Sequence, residues 1–260
     1  MRTPTITLTT DLGTREPSVA SIKGVLLKSC EDARLVDLGH QISPHQVTEG
    51  ALFTLSAIPC FPEGTVHLVT VAPGPTPIAV RVAGQFVVCP DNGLLTLLGE
   101  HHEIESIREI EIPEDVARRN TQTFFGREVF APAAAALARG MPFEDLGPER
   151  EELHRLEWPQ PEKSERNKID GRIMHVDRFG NLISNIHATH LEDIKAERLV
   201  AGRCTVYGIS SSYDDVPQGK PVALVGDAGY LELAYHGDHA NERLGIEPGV
   251  LVEVYGKANP

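Results

Sequence analysis

The sequence changes its grammar near residue 148, and that change limits what the chain can fold into. Before it, β-rich runs alternate with stretches whose apolar side chains recur at helical spacing. Thr5–Thr10 reads as a strand, and Ser18–Ser29 carries Val19, Ile22, Val25 and Leu26 at helical intervals. Arg34–Leu38 is a second strand, and Val47–Ile58 is a helix that Pro59 stops. Val66–Val71 and Phe86–Val88 are apolar strands, and Phe130–Ala138 is an alanine-rich helix closed by Gly140. This alternation predicts an α/β domain over residues 1–148, with a mixed or parallel sheet covered by helices. Residues 149–168 are charged and proline-punctuated without periodicity, which predicts a linker. From 169 to 260 the chain runs through short strands at Gly171–Val176, Arg203–Tyr207, Pro221–Val225, Tyr230–Ala234 and Leu251–Tyr255. Glycine, asparagine and proline turns separate them, predicting a smaller all-β, barrel-like domain.

Charge narrows the partners. With 37 acidic against 24 basic side chains the net charge is −13, so nucleic acid and anionic membrane surfaces are not expected partners and a cationic ligand suits the chain. Cys30, Cys60, Cys89 and Cys204 are scattered without CxxC spacing, which predicts free thiols in a reducing compartment. No apolar run approaches the ~20 residues a membrane span needs, and no leader-like stretch precedes the first strand. A cytoplasmic protein is the expectation. His101–His102 and the pair His236 and His239 lack a third ligand at metal-binding spacing, so no metal is expected. The chain also carries no GxSxG elbow, phosphate loop or GxGxxG fingerprint.

Several polar loops sit where strands end, which is where α/β sheets place ligands. Asp11–Leu12–Gly13 follows the first strand, and a carboxylate there can accept both hydroxyls of a vicinal diol such as ribose. Pro90–Leu95 contains Asn92–Gly93, which reads first as a tight turn. Thr123–Glu128 opens the alanine helix with Phe124 and Phe125 beside Gly126, aromatics that can stack on a flat base or fill a core. Asp177–Asn181, Ser212–Asp214 and Gly226–Tyr230 complete the set. The amide of Asn181 can meet both a donor and an acceptor edge, and Gly226 and Gly229 let backbone approach a ligand closely.

In this order the segments resemble the family of S-adenosylmethionine (SAM) hydroxide adenosyltransferases and SAM-dependent fluorinases and chlorinases. The resemblance rests on ThrThrAspLeuGly at 9–13, LysGly at 23–24, ValAspLeuGlyHisGlnIleSerPro at 36–44 and PheProGluGlyThrVal at 61–66. It continues through ProAspAsnGlyLeuLeu at 90–95, PheGlyArgGluValPheAlaProAlaAla at 125–134 and AspArgPheGlyAsnLeuIleSerAsnIle at 177–186. TyrAspAspValPro at 213–217 and AlaGlyTyrLeuGluLeuAla at 228–234 extend it over nearly the whole chain. The resemblance implies a homotrimer that binds SAM or adenosine between subunits, with no further cofactor. It implies that Asp11 holds the ribose hydroxyls and that Asn181 and Tyr213 hold adenine. Glu16, Ser18, Asp177, Asp227 and Ala228 would surround the methionine end, with Phe124 and Phe125 also lining the site.

The resemblance breaks at the positions that handle the nucleophile. Active relatives displace methionine from ribose C5′ with hydroxide or halide, and the hydroxide users employ an aspartate, an arginine and a histidine. Here Ala72 stands in for the aspartate, the loop from Val71 to Ile78 is too short to hold the arginine, and Phe125 replaces the histidine. The insertion typical of fluorinases between Val80 and Pro90 is absent. No catalytic residue can therefore be assigned. Two readings stay open: a SAM-binding enzyme that cleaves at C5′ with other residues, for which His40 and His45 are candidates, and a SAM- or adenosine-binding or structural relative that has lost the reaction.

Overall fold

The computed structural model describes residues 3–118, 124–164 and 167–258; Thr123 of the aromatic loop and Glu165 and Arg166 of the expected linker lie outside them. The chain divides between Glu157 and Trp158 into two compact units.

Unit 1 is the α/β unit. Its elements are β1 (Thr5–Thr10), α1 (Ser18–Ser29), β2 (Arg34–Gly39), α2 (Val47–Ala57), β3 (Val66–Thr70), β4 (Pro77–Val82), β5 (Gln85–Pro90), α3 (Thr96–His101), β6 (Ile104–Glu109), α4 (Glu114–Ala117), α5 (Ala131–Ala138) and β7 (Glu149–Arg150). The sheet order is β2-β1-β3-β5-β4-β6-β7. The first four strands run parallel, and β4, β6 and β7 add antiparallel pairs, so the sheet is mixed. Ile6, Thr7, Leu8 and Thr9 are successive residues of β1 and all are buried, which requires cover on both faces of the sheet. One face packs Ile6 and Leu8 in a cluster with Ile22 and Leu26 of α1 and with Ala131, Ala134 and Ala135 of α5. Within that sheet the hydroxyl of Thr7 meets His67 Nδ1 at 2.7 Å, and His67 Nε2 meets the Gln85 side chain at 2.7 Å. This buried polar ladder crosses β1, β3 and β5.

The strand order fixes where a ligand can enter. The chain leaves β1 through α1 to β2 on one side, then returns through α2 to β3 on the other. The crevice at the carboxyl ends of β1 and β3 is thus the switch point of the sheet, the place where open α/β sheets bind ligands.

The strands of unit 2 pair antiparallel: β8 (Glu162–Ser164), β9 (Lys168–Val176), β10 (Leu182–His187), β11 (Ile194–Ala201), β12 (Cys204–Tyr207), β13 (Pro221–Val225), β14 (Tyr230–Tyr235) and β15 (Leu251–Ala258), with the short helices α6 (Ala188–Leu191) and α7 (Ala240–Leu244). The order β12-β11-β15-β9-β10-β14-β13 curls until a bridge from Ser210 to Leu224 brings the segment after β12 onto β13, giving a nearly closed barrel. Ile169, Ile173, Leu182, Ile186, Leu231 and Val254 fill its interior.

The described residues of 149–168 are more ordered than their composition suggests. Arg150 pairs in β7 with β6, and the amides of His154 and Leu156 donate to Asp91 and Thr96 of unit 1. The Pro159 carbonyl accepts from Asn185, and β8 pairs with β9 in unit 2. Hydrogen bonds to and from the backbone hold these described residues, and they leave no apolar period to read.

Candidate functional site

Asp11 stands at the switch point. Its Oδ2 accepts backbone hydrogen bonds from His45 and from Ala72, each at 3.0 Å, and its own amide donates to the Thr70 carbonyl at 3.3 Å. Both donors belong to residues with positive φ, 65° at His45 and 55° at Ala72, where side chains other than glycine and asparagine are strained. Two strained loops therefore converge on one carboxyl oxygen and leave Oδ1 as the oxygen open to a ligand. Asn92 fixes the second loop: its side-chain amide donates to the Val71 carbonyl at 2.9 Å and approaches those of Ala72 and Pro73. The Asn92–Gly93 segment is thus a clamp on the Asp11 site as well as a turn.

A second line of groups braces the loop behind Asp11. The Lys23 ammonium lies 2.6 Å from Asp37, Asp37 lies 3.1 Å from His40 Nε2, and His40 Nδ1 lies 3.1 Å from the Thr10 hydroxyl. Burial opposes ionisation of Asp37, but hydrogen bonds and charge from Lys23 and His40 hold its pKa below the usual carboxylate value. His40 and Thr10 are themselves buried, and their contact sets the loop in place. Glu16 is exposed in the loop before α1, and Ser18 begins that helix, whose first turn carries no side-chain cap.

The aromatic loop enters α5 through one π-helical turn, Gly126–Phe130, a form that often marks functional sites. Gly126 nests against Ile22 and Thr70, where an added Cβ would lie 3.1 Å and 3.4 Å from side-chain carbons. Phe124 and Phe125 are half-buried against the unit 1 core; Phe125 meets Phe130 edge-on, and Arg127 covers the Phe124 ring while pairing with Glu128.

In unit 2, Asp177 organises the β9–β10 turn. Its Oδ1 accepts from the amides of Phe179 and Asn181, both at 2.8 Å, and its Oδ2 accepts from the Asn181 side chain at 2.9 Å. Gly180 has φ 77°, and a Cβ there would collide with Asn241 and His239. Beside this turn lies a pocket of about 400 Å³ lined by Phe179, Asn181, Tyr213, Tyr235, Gly237, Asp238 and His239. Phe179 is 72% exposed, a large apolar ring facing solvent at the pocket. The Tyr213 hydroxyl donates to Glu232 at 3.2 Å, and the Asp227–Ala228 turn joins β13 to β14. Asn181 and Tyr213 were expected at the ligand and Phe179 lay inside a motif already noted in the sequence; Tyr235, Gly237 and Asp238 had no local signal.

A larger cavity in unit 1, about 780 Å³, opens between α3, β6 and residues 149–155. Its buried polar groups are already satisfied: Asp91 by Arg150 and the His154 amide, Thr96 by the Leu156 amide. It offers a ligand little that is unpaired.

The model of the SAM hydroxide adenosyltransferase N-terminal domain matches residues 6–147, and that of the C-terminal domain matches residues 171–253. The chain belongs to the SAM hydroxide adenosyltransferase family. Among its relatives, the (R)-S-adenosyl-L-methionine hydrolase of Thermus thermophilus is 36% identical, over 94% of this chain and 96% of that protein. The fluorinase of Nocardia brasiliensis is 31% identical over 97% of both chains. A conserved protein from Thermotoga maritima, known from its crystal structure, superposes with a TM-score of 0.85 at 30% identity, over 96% of this chain and 99% of that one. Family membership accounts for the order of the polar loops along the chain. The ten residues expected at the ligand divide equally, with Asp11, Glu16, Ser18, Phe124 and Phe125 in unit 1 and Asp177, Asn181, Tyr213, Asp227 and Ala228 in unit 2.

Proposed function

We propose that this protein binds SAM and cleaves it at ribose C5′, releasing methionine and, when water attacks, adenosine and a proton. The observation that carries the reading is Asp11: a carboxyl at the sheet switch point, pinned by the amides of His45 and Ala72 through one oxygen with the other free for the ribose hydroxyls. Asn181 and Tyr213, on the wall of the unit 2 pocket, would take the adenine, and the exposed Phe179 ring offers it a stacking face. Glu16, Asp177 and Asp227 supply negative charge for the ammonium and sulfonium, and the uncapped first turn at Ser18 offers amides to the methionine carboxylate. Phe124, Phe125 and Ala228 would close the site with apolar surface.

Methionine leaves from a sulfonium, so the chain must orient and desolvate a nucleophile more than activate the leaving group. Ala72 and Phe125 contribute no base to that step, and the proton from water passes to solvent. No cofactor takes part in this scheme. The same reading includes a cytoplasmic homotrimer that binds SAM between subunits. Light scattering should give three times the 28.3 kDa chain mass.

The deciding experiment incubates the protein with SAM, with and without chloride, and follows adenosine, 5′-chloroadenosine and methionine by chromatography. Release of methionine with either nucleoside is the expected result. Tight SAM binding with none of these products would replace cleavage by binding alone.

A further inference from the structure

One buried acid of unit 2 has no part in the reading above. Glu232 is 7% exposed in the middle of β14, between the apolar Ile183 of β10 and Leu224 of β13. The hydroxyl of Tyr213 donates to its Oε2 at 3.2 Å. Its Oε1 fills the space that Gly226 leaves, since a Cβ at that glycine would overlap the oxygen. The other charged or titratable groups that face it are Asp177 at the end of β9 and Asp227 in the β13–β14 turn, with His175 one strand beyond Ile183. Tyr213 lines the pocket and Glu232 does not. A buried acid therefore holds, from behind, a ring that a ligand would touch.

We propose that Glu232 is a positioning residue of the SAM site, fixing Tyr213 on the pocket wall and giving up its proton when the cationic ligand arrives. The inference rests on reading that pocket as part of the SAM site. Burial raises the Glu232 pKa to about 7; the hydrogen bond from Tyr213 opposes the shift, and the charges of Asp177 and Asp227 add to it. A ligand carrying a sulfonium and an ammonium favours the ionised form. By linkage, ionised Glu232 favours the ligand by the same factor. SAM then binds more tightly above pH 7 than below pH 6. Neutral adenosine depends on the placement of Tyr213 and not on the charge.

The test is calorimetric titration of the whole protein with SAM and with adenosine from pH 5.5 to 8.5, on the natural sequence, Glu232→Gln and Glu232→Leu. For the natural sequence, SAM affinity should rise about fivefold across that range while adenosine affinity stays level. Glu232→Gln keeps an acceptor for Tyr213, so it should retain adenosine affinity and lose the pH slope for SAM. Glu232→Leu, if circular dichroism shows it folded, should weaken both ligands. An unchanged slope in Glu232→Gln, or an equal slope for adenosine, overturns this inference and leaves the SAM site standing. No binding of either ligand by the natural sequence overturns both.

Discussion

In unit 1 the ligand-facing acid is held by backbone: Asp11 takes two amides, and both come from loops with positive φ. In unit 2 Asp177 takes two amides as well, those of Phe179 and Asn181, but the buried acid Glu232 is bonded through a side chain, to the Tyr213 hydroxyl. A backbone cradle keeps its shape whatever the pH, whereas a nest of side chains changes with every proton. A buried titratable group in each unit is also shifted, in opposite directions. Burial pushes His67 of unit 1 down to about 4, against its hydrogen bond to Gln85, so it stays neutral; burial raises Glu232 of unit 2, so it stays protonated until near neutrality.

The largest expected effect falls on the backbone-held acid. Asp11→Ala removes the carboxyl that the His45 and Ala72 amides both meet, and should cost at least about 3 kcal/mol, or roughly 100-fold, in SAM affinity or kcat/KM. Retention of wild-type affinity would show that the switch-point crevice is not the ribose site, and the contrast between the units would collapse.

The opposite titrations come next. Unfolded His67 takes a proton near pH 6.5 and folded His67 only near 4, so the unfolded chain binds more protons between those values. Stability should fall as the pH drops through that window, by about 3 kcal/mol in all. Urea unfolding followed by circular dichroism measures it, and His67→Gln should flatten the dependence. Glu232 works the other way: the folded state keeps a proton from about pH 4.5 to about 7 that the unfolded chain has lost. Stability of unit 2 should fall as the pH rises through that window, by about 1 kcal/mol after screening. Trp158, the single tryptophan of the chain, is buried edge-on to Tyr230 in unit 2 and reports that unit's unfolding by fluorescence. If the Trp158 transition shifts with pH in the same direction as the whole-chain signal, the opposition of the two units is wrong.

How much of this could be read beforehand follows the same division. β1 and α1 stand at the residues expected, because alternation and helical spacing are local signals. The mixed α/β sheet and the barrel-like second unit also follow from the expected element order. The hairpin of β4 and β5 was not legible in full, because its two-residue turn is Ala83–Gly84, with φ 49° and 67°, where Asn-Gly would have announced it. β10 and β11 were missed as well; Asp177–Asn181 read as a loop, and Leu182–His187 beyond it, which runs through the sheet, was given no element. Asp11 was legible because it ends a strand. The amides of His45 and Ala72 that hold it carry no mark in a sequence, and Glu232 is a single acid among apolar residues of a strand. Side-chain pairing across strands decides such a residue's role, and the register that sets the pairing is not local.

The smallest expected effect tests the strain on which the unit 1 cradle depends. Ala72 has φ 55°, a region that costs an alanine about 1 kcal/mol or more and a glycine almost nothing. Ala72→Gly removes that cost from the folded state but also frees the unfolded chain, and the two terms oppose each other. Because the loop is clamped by Asn92, the native φ should persist, and the net change in unfolding free energy should be a stabilisation under about 1 kcal/mol. SAM affinity should not change, since the amide that reaches Asp11 is present in both. A loss of affinity without loss of stability would mean that the Ala72 methyl itself contacts the ligand, and the unit 1 site would then be held partly by side chains, as unit 2 is.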